Sequence, residues 1–295
     1  MRDIPGSTEH GGKPDSGLDG APSTTIIEGH LAVSAALRSG NREIMKVYVR
    51  EGRIERTGQE VLTLAQERGI ETIRMPHEQI EAISSGRSHG GIAAEIGARK
   101  FLTCDQLTAK DGNSAIIMLD GIEDPHNFGS CVRSLFTAGI DGIVLRTRNW
   151  MSAANVVTRA SAGASEYIPA ALADSAADAA AHFRAHGYQI ACADASPHAT
   201  NVYDCDFRGK VFVLIGGEKR GITRSFLDEA DMTIQIPYGR QTGIALDAAS
   251  ATAVLAFEIL RQRQGERPSS TGHAKRPDAK QRGRDLLNSS RNRKR

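Results

Sequence analysis

No stretch of this 295-residue chain approaches the ~18 consecutive apolar residues needed to span a bilayer, so a membrane protein is not expected. The opening, MRDIPGSTEHGGKPDSG, has no apolar run behind a basic one, and no secretory signal is expected there. Cysteine is scarce. Cys104, Cys131, Cys192 and Cys205 are scattered without a C-x-x-C pair, which argues against zinc and against a disulfide framework and suits a reducing cytoplasm; no metal is expected. Internal repeats are lacking, and so is the G-x-G-x-x-G fingerprint of dinucleotide enzymes. Gly216 and Gly221 do stand at P-loop spacing, but position 222 is Ile where phosphate binding needs Lys, and Glu218 would repel phosphates. Both nucleotide readings are excluded.

What is present is an ordinary globular composition, 40% hydrophobic, with charge unevenly spread. Residues 267–295 carry ten Lys/Arg against two Asp, a net +8, which leaves −6 for residues 1–266 of a chain that sums to +2. A mildly acidic body with a basic tail at 265–295 suits a disordered arm seeking a polyanion; the alternative is a tail that only solubilises. Residues 1–24 are polar with Gly and Pro throughout and are expected to be disordered.

Between these ends the hydrophobic pattern gives two units. Residues 25–98 read as a small α/β domain: a helix starting near Thr24 or Thr25 with Ile27, Leu31 and Ala35 on one face, then strands at 44–49, 71–75 and 91–96. Residues 99–113 are polar and read as a linker. Residues 114–264 alternate Val/Ile-rich strands (115–120, 142–146, 188–194, 211–216, 233–236) with helical patterns at 128–138, 153–164, 174–186 and 224–229, and end in a helix at 245–261. Strands apolar on both faces, alternating with helices, predict a mainly parallel α/β sheet.

Ligands of such sheets bind beyond the carboxyl ends of the strands. Three ends carry suggestive residues: DGIEDPHNFG (120–129) with Arg133 two turns into the next helix, IGGEKRG (215–221), and IPYGRQTG (236–243) leading to Ala245-Leu246-Asp247. Taken singly, Asn127 reads as a helix N-cap, Arg133 as a surface residue and the glycines as turn residues. Their coincidence at strand ends of one domain makes these loops the candidate site.

The three loops together resemble the three motifs of the SpoU/TrmH branch of the SPOUT RNA methyltransferases. DPHNFGSCVRS is similar to the first motif through Asn127, Gly129 and Arg133. VLIGGEKRGIT is similar to the second through Gly216, Glu218 and Gly221, and IPYGRQTGIALDAASATAVLAFEIL to the third through Ile236, Pro237 and Leu246. The front unit resembles the RNA-recognition domain of ribosomal-RNA members, with Ile27-Glu28-Gly29-His30 at its start and His89-Gly90-Gly91-Ile92-Ala93 at its close.

This resemblance implies a trefoil-knotted mainly parallel sheet behind a smaller RNA-binding domain. It also implies a cytoplasmic homodimer that transfers the methyl group of S-adenosylmethionine to a ribose 2′-hydroxyl, of ribosomal RNA in preference to transfer RNA. Gly216, Ile236 and Leu246 would hold the cofactor, largely through backbone groups. Arg133 would clamp an RNA phosphate and stabilise the developing alkoxide, Asn127 would orient the ribose, and Glu218 would hold the loops or Asn127 in place. One departure stands out: the family's Ser-Leu-Asn is here Ala245-Leu246-Asp247, after a loop one residue longer. Asp247 then either takes over hydrogen bonding or proton acceptance, or catalysis is impaired. The alternatives are a catalytically silent RNA-binding or ribosome-assembly protein, a transfer-RNA methylase, and methylation of a base.

Overall fold

The computed structural model describes residues 24–52, 55–86, 89–147, 153–194, 196, 198–217, 221–240 and 243–264. The expected disorder at 1–24, Thr24 apart, and at 265–295 falls outside that set.

The front unit runs β1 (Thr25–Glu28), α1 (His30–Ser39), β2 (Arg42–Arg50), α2 (Arg56–Glu67), β3 (Glu71–Met75), α3 (His77–Ile83) and β4 (Ile92–Arg99). Its strands lie in the order β1-β4-β2-β3. Residues 25–28 are a strand, not the start of a helix. Ile27 is fully buried opposite Ala94 of β4, and Gly29 at φ 89° breaks the strand so that α1 begins at His30. The β-branched pair Ile26–Ile27 suits that pleated position better than a helical one. The core beneath joins Ile27, Val33, Leu37, Val47 and Ile96.

The segment read as linker holds a helical turn, α4 (Cys104–Leu107), closed by a capping box in which Thr103 and Gln106 satisfy each other's backbone N–H groups. The large unit follows as β5 (Ser114–Asp120), α5 (Pro125–Thr137), β6 (Gly142–Arg146), α6 (Ala154–Ala160), α7 (Ala164–Tyr167), β7 (Ala170–Ala173), α8 (Ala176–Ala185), β8 (Gln189–Ala193), β9 (Thr200–Asn201), β10 (Lys210–Gly216), α9 (Arg224–Glu229), β11 (Met232–Gln235) and α10 (Ala248–Gln264). The helix expected over 153–164 is broken into α6 and α7, because Ala162 and Gly163 both take positive φ (51° and 85°). A side chain at Gly163 would also lie 2.6 Å from Ala35 Cβ, so glycine permits both the turn and the approach of α1.

The large sheet is parallel throughout, in the order β7-β6-β5-β10-β8-β11-β9. Its central strands alternate between two cores. Ala115, Ile117, Leu119, Val211, Val213 and Ile215 face the core under α5 and α10, whereas Ile116, Met118, Phe212 and Leu214 face the one under α8 and α9. This three-layer arrangement explains the near-continuous apolar runs.

Buried charge joins the two units. Arg42 on β2 and Glu166 on α7 form a bidentate pair (Nε–Oε2 2.7 Å, Nη2–Oε1 3.0 Å), with side chains 7% and 0% exposed. Arg99 donates to the Ser165 and Ile168 carbonyls, and burial lowers its pKa to about 10, which leaves it charged at neutral pH. Glu28, buried at the end of β1, accepts from Arg159 of α6 (2.5 Å) and from the Ser85 backbone N–H (2.8 Å). Such buried ion pairs are weak evidence for added stability, but removing one partner of such a pair is costly.

Candidate active site

The strand order reverses between β5 and β10: β6 and β7 build outward on one side, β8 and β11 on the other. That is the switch point where open α/β sheets bind ligands. Asp120 at the end of β5 is in register with Gly216 at the end of β10, so the first and second loops leave the sheet side by side. They touch through backbone. A Cβ on Gly217 would fall 2.0 Å from the Gly121 carbonyl oxygen, and one on Gly216 would fall 2.9 Å from Ile222 Cγ1 and 3.0 Å from Gly221 C. Only glycine allows this approach.

Helix α5 starts from the first loop. Its N-cap is Asp124, whose carboxylate accepts from the His126 and Asn127 N–H groups (3.1 and 3.3 Å), with Pro125 at the first helical position. Asn127 therefore does not cap the helix. It is half-buried in the first turn, and its side chain makes no hydrogen bond among the described residues. Arg133 is exposed further along α5, and its guanidinium has no acidic partner among the described residues. Glu218 lies outside the described residues.

The third loop leaves β11 at half-buried Ile236 and ends at α10, which packs on α5; Thr252 and Cys131 meet across that contact at 3.5 Å. Leu246 is 41% exposed, and its N–H donates to the Tyr238 hydroxyl at 3.1 Å. Tyr238 and Ile244 are also exposed, Ile244 by 78%, which leaves apolar surface on the loop. Asp247 is the start of α10: its Oδ1 accepts from Ser250 N–H at 2.7 Å and its carbonyl from Ala251 N–H at 3.0 Å. The Ser250 N–H bond holds its pKa below the ordinary carboxylate value. A carboxylate held in its ionised form by such bonds is a weaker base.

The structure thus brings the first two loops into contact, with Asn127 and Arg133 on the helix that the first loop launches. It places Leu246 and Asp247 at the head of the helix packed against that one. Sequence reasoning missed the groups that brace these loops. Arg146 at the end of β6 clamps Asp120 bidentately (2.5 and 2.7 Å), and Tyr238 holds Leu246. An adenosyl ligand fits such a place: glycine-lined backbone at the switch point offers hydrogen-bonding groups, and the exposed apolar side chains of the third loop offer a face for a flat ring.

Comparison with known proteins gives the same picture. A family model described as the SpoU rRNA Methylase family matches residues 114–257, and one described as RNA 2′-O ribose methyltransferase substrate binding matches 26–102. A protein of Staphylococcus haemolyticus described as a TrmH family tRNA/rRNA methyltransferase is 30% identical over 242 residues, covering 81% of this chain and 96% of the relative. Among solved structures, the SpoU methyltransferase AviRb of Streptomyces viridochromogenes in complex with AdoMet aligns with TM-score 0.69 at 20% identity, covering 82% of this chain and 91% of that one. An AdoMet-bound rRNA methyltransferase of Sinorhizobium meliloti aligns with TM-score 0.68 at 23% identity, covering 81% and 87%. These two likenesses establish the fold.

Proposed function

The chain belongs to the SpoU/TrmH family of RNA methyltransferases, and from that premise we propose that it methylates a ribose 2′-hydroxyl of RNA, ribosomal RNA before transfer RNA, with S-adenosylmethionine as donor. The observation that carries this reading is an exposed arginine without an acidic partner among the described residues, on the helix launched from a glycine-built switch point. The substrate-binding match of the front unit supports RNA, and we assign residues 25–98 to its recognition.

When bound, S-adenosylmethionine supplies an electrophilic methyl group on a sulfonium. The chain's task is to present a ribose hydroxyl to it and dispose of one proton. Arg133 binds an RNA phosphate through its planar fork of N–H donors and stabilises charge developing on the 2′-oxygen. A guanidinium does not give up its own proton near neutral pH, so Arg133 is not itself the base, and the phosphate it holds is a candidate acceptor. Asn127, with its amide uncommitted, orients the ribose, and Glu218 holds the second loop. Gly216, Ile236 and Leu246 contribute backbone contacts to the donor. Asp247 fixes the head of α10, and with it Leu246, rather than taking the proton. This gives the altered third motif a structural role, and it weakens the case for a silent RNA-binding protein.

The strand order supports a trefoil knot, with β10 entering between β5 and β8 and β11 between β8 and β9. Exposed Phe257 on α10 (48%) and Phe136 on α5 (40%) support pairing with a second copy. The described residues hold no helix long and apolar enough to cross a membrane, and we place the enzyme in the cytoplasm. Methyl transfer from labelled cofactor to RNA tests the assignment: Arg133→Ala should fold and bind the donor yet transfer no label. Near-normal turnover in that variant would return Arg133 to an ordinary surface role.

A further inference from the structure

Helix α8 carries two histidines four residues apart, a spacing that sets their side chains on one face. His182 lies in its last turn and His186 is its C-cap, with ring centroids 4.5 Å apart. Asp105, on α4, faces them. Ligand atoms of Asp105, His182 and His186 all lie within 4.8 Å of one another. We propose that these three residues bind a divalent transition-metal ion of the zinc class.

The surrounding hydrogen bonds prepare the two rings. His186 Nδ1 lies 2.8 Å from the His182 carbonyl oxygen, which can only accept, so Nδ1 carries the proton and Nε2 keeps its lone pair. A ring nitrogen tied to a backbone carbonyl is the usual support for a metal-binding histidine. His182 Nε2 lies 3.1 Å from Thr108 Oγ1 and 3.8 Å from Asp105 Oδ1. The Thr108 hydroxyl donates to the Cys104 carbonyl at 2.9 Å, so its oxygen is left to accept from His182. Metal capture at Nε2 moves that proton to Nδ1, a change of tautomer with no net loss, in a ring that already faces the carboxylate.

Charge and reach agree. The C-terminus of a helix is the negative end of its dipole and favours a cation. Bonds of about 2.0–2.2 Å require ligand atoms somewhat closer than they stand here. Asp105 is 79% exposed and can close the difference by a rotamer change. Lys210 Nζ lies 3.4 Å from the His186 carbonyl and bonds the backbone there. Two imidazoles and one carboxylate select zinc, cobalt, nickel or copper over magnesium or calcium, and leave a fourth position for water.

The site lies at the opposite pole from the methyl-transfer loops, because β8 begins three residues beyond His186, at Gln189. Its effect is to staple α4, in the segment joining the two sheets, onto α8. The full-length chain, stripped with a chelator and titrated with Zn2+ by calorimetry, tests the proposal beside Asp105→Asn and His186→Ala. Both replaced side chains are exposed, and equal melting temperatures in chelator show that the variants fold. One ion per chain is expected, with each variant binding more than ~10-fold more weakly. Zn2+ should raise the melting temperature of the intact chain alone, and Mg2+ should do nothing. Equal Zn2+ affinity in intact and variant chains, or no saturable binding in the intact chain, overturns it.

Discussion

Glu166→Gln tests how the two units are held together. Glu166 is fully buried and makes a bidentate pair with Arg42, itself 7% exposed, and its charge also reaches buried Arg99. The amide substitution keeps the volume and the bond from Asn41 Nδ2 to the Glu166 carbonyl, 2.8 Å. It removes the only carboxylate that answers two buried guanidiniums among the described interactions. Breaking a buried pair by removing one partner costs roughly 3–5 kcal/mol. With a urea slope near ~3 kcal/mol per molar, the unfolding midpoint should drop by roughly 1–1.7 M. Arg42→Met is the informative contrast. It leaves Glu166 facing Arg99, one charge of each sign, and so should cost clearly less than Glu166→Gln. Urea melts followed by far-ultraviolet circular dichroism, with a second probe to check that the transitions coincide, give both values. An Arg42→Met cost equal to or above that of Glu166→Gln, or a Glu166→Gln cost under about 1 kcal/mol, would refute the reasoning.

Gly216→Val should weaken S-adenosylmethionine binding measured by calorimetry, because its side chain collides with Ile222 and the Gly221 backbone; unchanged affinity would remove the second loop from the donor site. Asp247→Ala should lower the melting temperature by loss of the α10 cap, while Asp247→Asn, an equally good cap, should leave both stability and turnover nearly intact. Loss of turnover in Asp247→Asn with unchanged stability would restore proton acceptance to Asp247. Asp206, lowered to about 2 by Arg208, and Asp247 and Glu258, lowered by Ser250 and Arg261, are carboxylates whose folded pKa lies below the unfolded value. Their stabilisation is complete above the unfolded value and is lost as pH falls through the folded one, so melting temperature should decline from about pH 4 towards pH 2. A flat profile there would contradict these contacts.

The central sheet is legible in the sequence because burial on both faces leaves runs such as Ile116–Leu119 and Val211–Ile215 without alternation. β7 is not: four residues, Ala-Ala-Leu-Ala, carry little strand propensity, and the pairing with β6 supplies what they lack. Leu31 and Ala35 do lie on α1, whereas Ile27 falls at helical spacing with them by accident, and the break at Gly29 with the pairing to β4 puts it in a strand. The site loops are legible because their chemistry is local, glycines and polar residues directly after apolar strands. The charges that brace the first loop and join the two units are not, because Asp120–Arg146, Arg42–Glu166 and Glu28–Arg159 pair residues 26, 124 and 131 positions apart. No periodicity connects such pairs; only the fold does.

The most direct test of methyl transfer to ribose is nucleoside mass spectrometry of RNA incubated with the full-length chain and S-adenosylmethionine carrying a labelled methyl group. Ribosomal and transfer RNA would be offered in parallel. The label should appear on a 2′-O-methylated nucleoside from ribosomal RNA, in amounts that depend on intact Arg133. A label found on a base, or on no nucleoside of either RNA while the donor still binds, would contradict ribose methylation.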